Sequence, residues 1–274
     1  MTRVFWFSGT GNSLRAARVV AGAFPDSELV PIAAVEGEAV HVRPADRIGL
    51  VFPVYAWGVP PIVERFIERL PAVEDAYAFA VLTYGGDPGR APGMTQGLLR
   101  RRGLRLAASF GVRMPDNYPP LGGAPPPEKQ EPVLRAAEER LAVIARELRA
   151  APRGAVRNGK AFWRLAGRVA YPVFRRTAAR GDRAFGADEK CNGCGVCARI
   201  CPVGNIEMVA GRPHWLGHCE QCYACFHWCP QQAVQYRGRT ERQVRYHHPD
   251  CAVSDMAVRP PRRPPQGDQQ GEAS

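Results

Sequence analysis

Eight cysteines stand in two runs of identical spacing, and each run ends in proline. Both runs read C-x2-C-x2-C-x3-C-P. This spacing places three thiolates on the corners of one [4Fe–4S] cubane, while the fourth cysteine reaches the partner cubane of a two-cluster site. The runs are Cys191, Cys194, Cys197 and Cys201 before Pro202, and Cys219, Cys222, Cys225 and Cys229 before Pro230.

Because the fourth cysteine of each run reaches the other cubane, the eight cysteines divide between two clusters in a crossed pattern, which we call the crossed rule. The first cluster is predicted to bind Cys191, Cys194, Cys197 and Cys229, and the second to bind Cys219, Cys222, Cys225 and Cys201. Zinc sites need only four ligands, and disulfide frameworks belong to short secreted chains, so both alternatives fit the doubled run less well. The ninth cysteine, Cys251, lies beyond the second run and is interpreted as a spare thiol.

A second candidate site lies in a turn near the N-terminus, between a predicted strand over 3–7 and a predicted helix over 14–23. A helix N-terminus offers unpaired N–H groups and a positive dipole end, and hydroxyl side chains add donors, so this turn suits a phosphate group. It is neither a dinucleotide fingerprint nor a P-loop, because Leu14 occupies the third glycine position and no lysine follows. The turn consists of Ser8, Gly9, Thr10, Gly11, Asn12 and Ser13.

Two further loops place an aromatic ring beside glycine at the carboxyl ends of predicted strands. Open α/β sheets bind ligands at these ends, and a flat ring system fits between aromatic side chains and closely approaching backbone. Together the three loops predict FMN; the alternative is an ordinary turn with Trp57 and Tyr84 in the core. The loop residues are Pro53, Tyr55, Trp57 and Gly58, then Thr83, Tyr84, Gly85 and Gly86. Residues 114–118 are a further candidate to close the pocket.

The elements that must position these residues alternate between strand and helix, which predicts an α/β doubly wound parallel sheet followed by a small α+β domain. Strands are predicted near 3–7, 28–32, 48–53, 77–84 and 106–112, and helices near 14–23, 60–70, 90–102 and 128–150. Four segments follow from the patterns: an FMN-binding domain over 1–150, a basic linker helix over 151–184 interrupted near Pro172, a cluster domain over 185–245, and a largely disordered tail over 246–274.

The net charge of +11 is concentrated in the second part of the chain. Residues 1–150 carry 18 basic and 16 acidic side chains, which leaves 19 and 10 for residues 151–274. The linker helix is expected to pack its apolar face against the two domains and to leave its arginines in solvent, open to an acidic redox partner protein. Attachment to a membrane surface is an alternative, and no recognition motif for nucleic acid accompanies the charge. Reduced cysteines without a recognisable export signal predict a cytoplasmic location.

The chain resembles the EFR-type ferredoxin family, in which a flavodoxin-like half precedes a two-cluster ferredoxin half. The resemblance rests on both cysteine runs, on Ser-Gly-Thr-Gly-Asn-Ser at 8–13, on Phe-Pro-Val-Tyr-Ala-Trp-Gly-Val-Pro-Pro at 52–61 and on Met-Pro-Asp-Asn-Tyr at 114–118. It implies FMN, two [4Fe–4S] clusters and electron transfer. The basic charge departs from the acidic surface that flavodoxins and ferredoxins usually have.

Three functions follow, of which an electron carrier between the clusters and FMN is favoured. The second is a flavoenzyme that reduces a small molecule, with the clusters supplying electrons; its candidate proton donors are Tyr55, Tyr84 and Asp87. The third is a ferredoxin whose flavodoxin-like half binds no flavin and serves only to bind a partner. No part of the sequence predicts a nicotinamide site, so electrons are expected to come from another protein.

Overall fold

A five-stranded parallel sheet forms the centre of the larger half. The computed structural model describes residues 1–43, 46–73, 76–154 and 156–257. The strands are β1 (Thr2–Trp6), β2 (Ser27–Pro31), β3 (Arg47–Pro53), β4 (Tyr77–Tyr84) and β5 (Leu106–Arg113). They lie in the order β2-β1-β3-β4-β5, which is the flavodoxin-like doubly wound order with its switch point between β1 and β3. The predicted fold class is confirmed.

Helices cover both faces of this sheet. They are α1 (Asn12–Ala21), α2 (Pro61–Glu68), α3 (Ala91–Arg101) and α4 (Pro127–Arg149). Alternate side chains of β3 divide between the faces: Ile48, Leu50 and Phe52 pack with α2 and α3, whereas Val51 packs with α1 and α4. Between β2 and β3 the described residues contain only a short 3-10 helix, Ile32–Val35.

A long helix, α5 (Ala161–Thr177), lies within the predicted linker segment. It continues through Pro172, so the predicted interruption there is wrong. The neighbouring Tyr171 explains why the helix persists, because this buried side chain fastens it to the larger half. The Tyr171 hydroxyl lies 2.6 Å from the carbonyl oxygen of Val59 and 2.8 Å from Oε1 of the buried Glu64. This packing offsets the hydrogen bond that proline cannot make.

Replacing Tyr171 with phenylalanine is expected to lower the free energy of unfolding by about 1–3 kcal/mol, because the buried Glu64 carboxylate loses a hydrogen-bond donor. Arg175, 2.6 Å from the same carboxylate, would remain as its partner. Chemical denaturation of the purified variant measures the change. An unfolding midpoint equal to that of the parent chain would show that Tyr171 does not anchor α5.

The cysteine-bearing half consists of short elements around two antiparallel strand pairs. The pairs are β6 (Phe185–Ala187) with β9 (Val234–Tyr236), and β7 (Ile206–Val209) with β8 (Arg212–Trp215). Two single-turn helices, α6 (Val196–Arg199) and α7 (Ala224–His227), each carry the third cysteine of a run. The two halves share continuous cores, since cysteines and aromatic side chains of this half pack against the sheet's helices.

Part of the predicted disordered tail is folded against α1. Tyr246, Cys251 and Met256 are buried, and a last short helix, α8 (Val253–Met256), follows. The sequence of this segment has no long apolar run, because the segment contributes only single side chains to a core that other elements form. The remainder of the predicted tail, 258–274, lies outside the described residues. No helix in the described ranges has both the length and the apolar character needed to span a bilayer.

Candidate functional site

The eight cysteines of the two runs differ in their exposure. Cys194 is exposed, and Cys191 beside it is half-buried. Cys197, Cys201 and Cys225 are buried. One end of the cysteine-bearing half therefore presents its sulfur ligands to solvent, while the other end faces the sheet.

Backbone N–H groups point at several of the sulfurs. Asn205 donates to Sγ of Cys201 at 3.2 Å, and Gln221 donates to Sγ of Cys219 at 3.2 Å. Ala233 likewise donates to Sγ of Cys229 at 3.3 Å. Such bonds stabilise negative sulfur and tune the reduction potential of a bound cluster, so the loops are built to hold thiolates.

The electrostatic neighbours of Cys197 include a cysteine of the other run. Burial, with added repulsion from the sulfurs of Cys229, Cys194 and Cys191, raises the pKa of the Cys197 thiol to about 11. Three of these four cysteines belong to the first run and Cys229 to the second. These four cysteines are the ones that the crossed rule assigns to the first cluster.

The second group shows the reciprocal arrangement. Burial raises the pKa of the Cys222 thiol well above its ordinary value, and repulsion from the sulfurs of Cys201 and Cys219 adds to the effect. Cys201 belongs to the first run by sequence. At neutral pH these buried thiols are protonated without metal, so metal binding must release their protons.

The glycine-rich turn before α1 has the local structure of an anion-binding loop. Gly11 caps the helix with a φ of +91°, a conformation that favours glycine. Its N–H donates to Oγ of Ser8 at 3.0 Å, and the hydroxyls of Ser13 and Thr83 are hydrogen-bonded at 2.7 Å. The first N–H groups of α1 have no partner within the helix and point toward the turn.

A cavity of about 850 Å³ opens beside this turn at the carboxyl ends of the strands. The volume lies in the range of cofactor pockets, which is roughly 300–1,000 Å³. It is lined by twelve of the fourteen residues predicted to bind FMN and by all of residues 114–118 and Asp87. The twelve are Ser8, Gly9, Thr10, Asn12, Ser13, Pro53, Tyr55, Trp57, Thr83, Tyr84, Gly85 and Gly86.

The other two predicted residues, Gly11 and Gly58, belong to the same loops but do not line the cavity. A Cβ at Gly11 would meet Cys251, with Sγ at 3.1 Å, and a Cβ at Gly58 would collide with the ring of Tyr171. Both glycines are therefore explained by close packing behind the loops. A sequence pattern does not distinguish a glycine that faces a ligand from one that faces another segment.

The loop after β3 holds its aromatic ring in a costly backbone conformation. Ala56 and Trp57 both have positive φ, +46° and +60°, within a tight turn closed by mutual hydrogen bonds of Tyr55 and Gly58. Non-glycine residues rarely adopt this conformation, and such strain concentrates at functional sites. Trp57 stacks on Trp163 of α5, with ring centroids 5.1 Å apart. The turn thus presents Trp57 as a fixed wall of the cavity.

Helix α5 forms a wall that sequence reasoning missed. The residues that α5 contributes recur at helical spacing, and this periodicity could have indicated that one face of the helix is directed toward a pocket. The lining residues from α5 are Trp163, Ala166, Val169, Ala170, Val173, Phe174 and Thr177. Small residues at 166 and 170 leave room beside the strand ends, so the linker shapes the pocket in addition to joining the halves.

The cysteine-bearing half also contributes directly to the cavity. Cys222 lines it together with Tyr223, Tyr236 and Arg237. Gly9 of the glycine-rich turn packs so closely that a Cβ there would collide with the carbonyl oxygen of Cys222. A predicted cluster ligand and the predicted phosphate loop are therefore in direct contact.

Further hydrogen bonds join the turn to the second half of the chain. The indole N–H of Trp228 donates to the carbonyl of Gly9 at 3.0 Å. The Tyr246 hydroxyl donates to Oδ1 of Asn12 at 2.6 Å, and the N–H of His248 donates to the carbonyl of Thr10 at 2.8 Å. The thiol of Cys251, interpreted from sequence as a spare, donates to the carbonyl of Gly11 at 3.6 Å.

Part of the cysteine-bearing half matches a known protein family by sequence. Residues 188–207, which contain the first cysteine run, match the family described as 4Fe-4S binding domain. No curated protein matches the chain. The family match shows that the chain carries a 4Fe–4S binding sequence.

Several solved structures resemble the larger half at low identity. The Streptococcus pneumonia TIGR4 flavodoxin is 16% identical, with 54% of this chain and 97% of that chain covered and a TM-score of 0.37. An azoreductase from Bacillus anthracis is 13% identical over 54% and 100%, with a TM-score of 0.35. The rubredoxin oxygen:oxidoreductase of Desulfovibrio gigas is 18% identical over 55% of this chain and only 36% of that chain, with a TM-score of 0.33.

Proposed function

We propose that the chain is an electron-transfer iron–sulfur flavoprotein that passes electrons between two [4Fe–4S] clusters and FMN. We also propose that it belongs to the EFR-type ferredoxin family of flavodoxin–ferredoxin fusions. The observation that carries the proposal is the position of Cys222. This residue, a predicted ligand of the second cluster, lines the cavity, and its carbonyl contacts Gly9 of the glycine-rich turn.

The cysteine loops fit the clusters that the spacing predicts. The crossed assignment is supported by the neighbours of Cys197, which include Cys229 of the other run, and by those of Cys222, which include Cys201. Backbone N–H groups donate to the sulfurs of Cys201 and Cys229. The second group is buried beside the cavity, whereas the first contains the exposed Cys194. We therefore propose that the first cluster lies at the surface and the second between it and the cavity.

The cavity fits FMN for reasons independent of the clusters. The N-terminus of α1 and the hydroxyls of Ser8 and Thr10 offer donors to a phosphate. Trp57 and Tyr84 provide aromatic walls, and Gly85 and Gly86 let the backbone approach closely. When bound, FMN supplies a centre that exchanges one or two electrons, which single-electron cubanes alone do not provide.

The surface end of the first group is the proposed docking site of an acidic redox partner protein. Arg199 is exposed there and donates to the carbonyl of the exposed Cys194 at 2.9 Å. Arg212, on the neighbouring β8, is also exposed. Positive side chains around an exposed cluster ligand would steer an acidic donor to the point where transfer distance is shortest.

One observation favours the alternative, a flavoenzyme that reduces a small molecule. The same cavity extends beyond the loops predicted to hold FMN to Leu121 and Arg237, and it also contains Tyr118 of the segment 114–118 that is predicted to close the pocket. Tyr118 is partly exposed there, and burial raises the pKa of its hydroxyl, so it stays protonated at neutral pH. Turnover with model electron acceptors in the presence of a reductant distinguishes an enzyme from a carrier.

Replacing Asn12 with aspartate is expected to weaken FMN binding by roughly tenfold or more, because a carboxylate would repel the phosphate at the start of α1. Aspartate keeps the oxygen that accepts from Tyr246, and it is favourable at a helix N-terminus, so the fold should persist. Fluorescence titration of the full chain with FMN measures the affinity.

Riboflavin, which lacks the phosphate, is the matched control ligand for this variant. It is expected to bind the parent chain and Asn12→Asp equally. Equal FMN affinity in the two proteins would place the phosphate elsewhere, and no FMN binding by either protein would contradict the proposed flavin site altogether.

A further inference from the structure

Helix α5 carries a stripe of apolar side chains that face solvent. Phe162, Leu165, Val169 and Val173 are 69%, 62%, 72% and 56% exposed. Their spacing of three or four residues places them along one face of the helix. Single exposed apolar residues are ordinary, but a contiguous row on one helix marks an interaction surface. We refer to these four residues as the apolar stripe.

The face of α5 opposite the stripe is fastened to the larger half, so the stripe cannot turn inward without breaking those contacts. Gly167 and Tyr171 are buried, and the Tyr171 hydroxyl is bonded to the larger half. Trp163 stacks on Trp57. The helix therefore holds Phe162 and Leu165 outward and Val169 and Val173 at the mouth of the cavity.

Basic side chains lie along one border of the stripe and at its C-terminal end. At 100° per residue, Arg164 and Arg168 follow one of its borders, and Arg176 lies at its C-terminal end. All three are exposed. The segment 151–181 contains no acidic residue. Of the α5 arginines only Arg175 forms an ion pair among the described residues, with Glu64 at 2.6 Å.

We propose that α5 binds the surface of an anionic lipid bilayer, lying in the interface with its apolar stripe inserted. A helix with exposed Phe, Leu and Val on one face and arginines beside them has the composition of interfacial membrane helices. The positive charge complements anionic headgroups. The stripe stands on a convex helix, which a bilayer accommodates without any matching groove, whereas a protein partner would need one.

The proposed docking face also contains the mouth of the cavity. Val169 and Val173 both belong to the stripe and line the cavity. Leu121, which is 82% exposed on a neighbouring loop, lines the same cavity. Binding through α5 would thus turn the opening toward the lipid. The inference rests on α5 alone and does not require the proposed cofactors.

The test is flotation of the cofactor-loaded full chain with vesicles of phosphatidylcholine, with and without phosphatidylglycerol. Binding is expected only with phosphatidylglycerol and is expected to weaken at high salt. The double variant Phe162→Ser and Leu165→Ser should lower the affinity by at least about tenfold, since two side chains lose their insertion. Arg164→Glu with Arg168→Glu should lower it by a similar factor.

Two control variants match these changes elsewhere on the surface. Leu216→Ser removes an exposed leucine of the cysteine-bearing half, and Arg101→Glu with Arg105→Glu reverses two exposed arginines of the larger half. Both are expected to bind vesicles like the parent chain. Absence of vesicle binding by the parent chain, or unchanged binding by the Phe162 and Leu165 variant, would overturn the proposal. If these variants instead slowed electron delivery from a protein donor without any vesicle binding, the face would be a protein docking site.

Discussion

Alanine in place of Cys201 is expected to remove the cluster held mainly by the second cysteine run and to leave the first cluster in place. Cys201 belongs to the first run by sequence, but it is a close electrostatic neighbour of Cys222 and Cys219 in the fold. Iron per chain should fall from about eight to about four, because each cubane contains four irons. Iron analysis and electron paramagnetic resonance of anaerobically purified protein measure the loss.

Cys251→Ala is the matched control for this change, since it removes a buried cysteine that belongs to neither run. Its iron content should equal that of the parent chain. Selective loss of the cluster bound by Cys191, Cys194 and Cys197 in the Cys201 variant would show that the runs do not cross.

Alanine in place of Gly9 is expected to disturb both cofactor sites at once. The added methyl group would collide with the carbonyl oxygen of Cys222, so the glycine-rich turn and the cysteine loop must separate. Overpacking of this kind costs about 1–3 kcal/mol of stability. We expect lower FMN affinity, slower electron transfer between the second cluster and the flavin, and a reduced unfolding midpoint.

Gly186→Ala is the corresponding control, because a Cβ at that position meets no atom within 4 Å. It should leave stability, FMN affinity and transfer rate unchanged. If Gly9→Ala behaved in the same way, the proposed contact between the two cofactor sites would be wrong.

Local patterns predicted the sheet and the part of the cavity lining that the loops at the strand ends supply. The predicted strands overlap the observed ones, because apolar runs bounded by glycine and proline report burial directly. The loops at 8–13, 53–58 and 83–86 meet in space because the carboxyl ends of neighbouring parallel strands share one edge. The cysteine spacing carried the cluster prediction in the same way, through local geometry.

Contacts between distant segments could not be predicted. The approach of Cys222 to Gly9, the bond from Tyr246 to Asn12 and the position of α5 over the strand ends each join residues far apart in sequence. No periodicity encodes such a pairing. The division into domains with separate cofactors, which the composition indicated, thus missed that the second half helps to build the cavity of the first.

The contacts between the two halves make the glycine-rich turn depend on the structure of the cysteine loops. Trp228, three residues after Cys225, donates to the carbonyl of Gly9 in the glycine-rich turn. Loops that bind iron–sulfur clusters depend on the metal for their structure. We therefore expect loss of the second cluster to weaken FMN binding, whereas removal of FMN should leave the iron content unchanged.

The iron, sulfide and flavin content of one anaerobically purified sample tests directly whether the chain binds two [4Fe–4S] clusters together with FMN. We expect about eight irons, a similar amount of acid-labile sulfide and a single FMN per chain. Zinc in place of iron, or a chain that takes up no FMN when reconstituted with an excess of it, would show that the protein is not the proposed iron–sulfur flavoprotein.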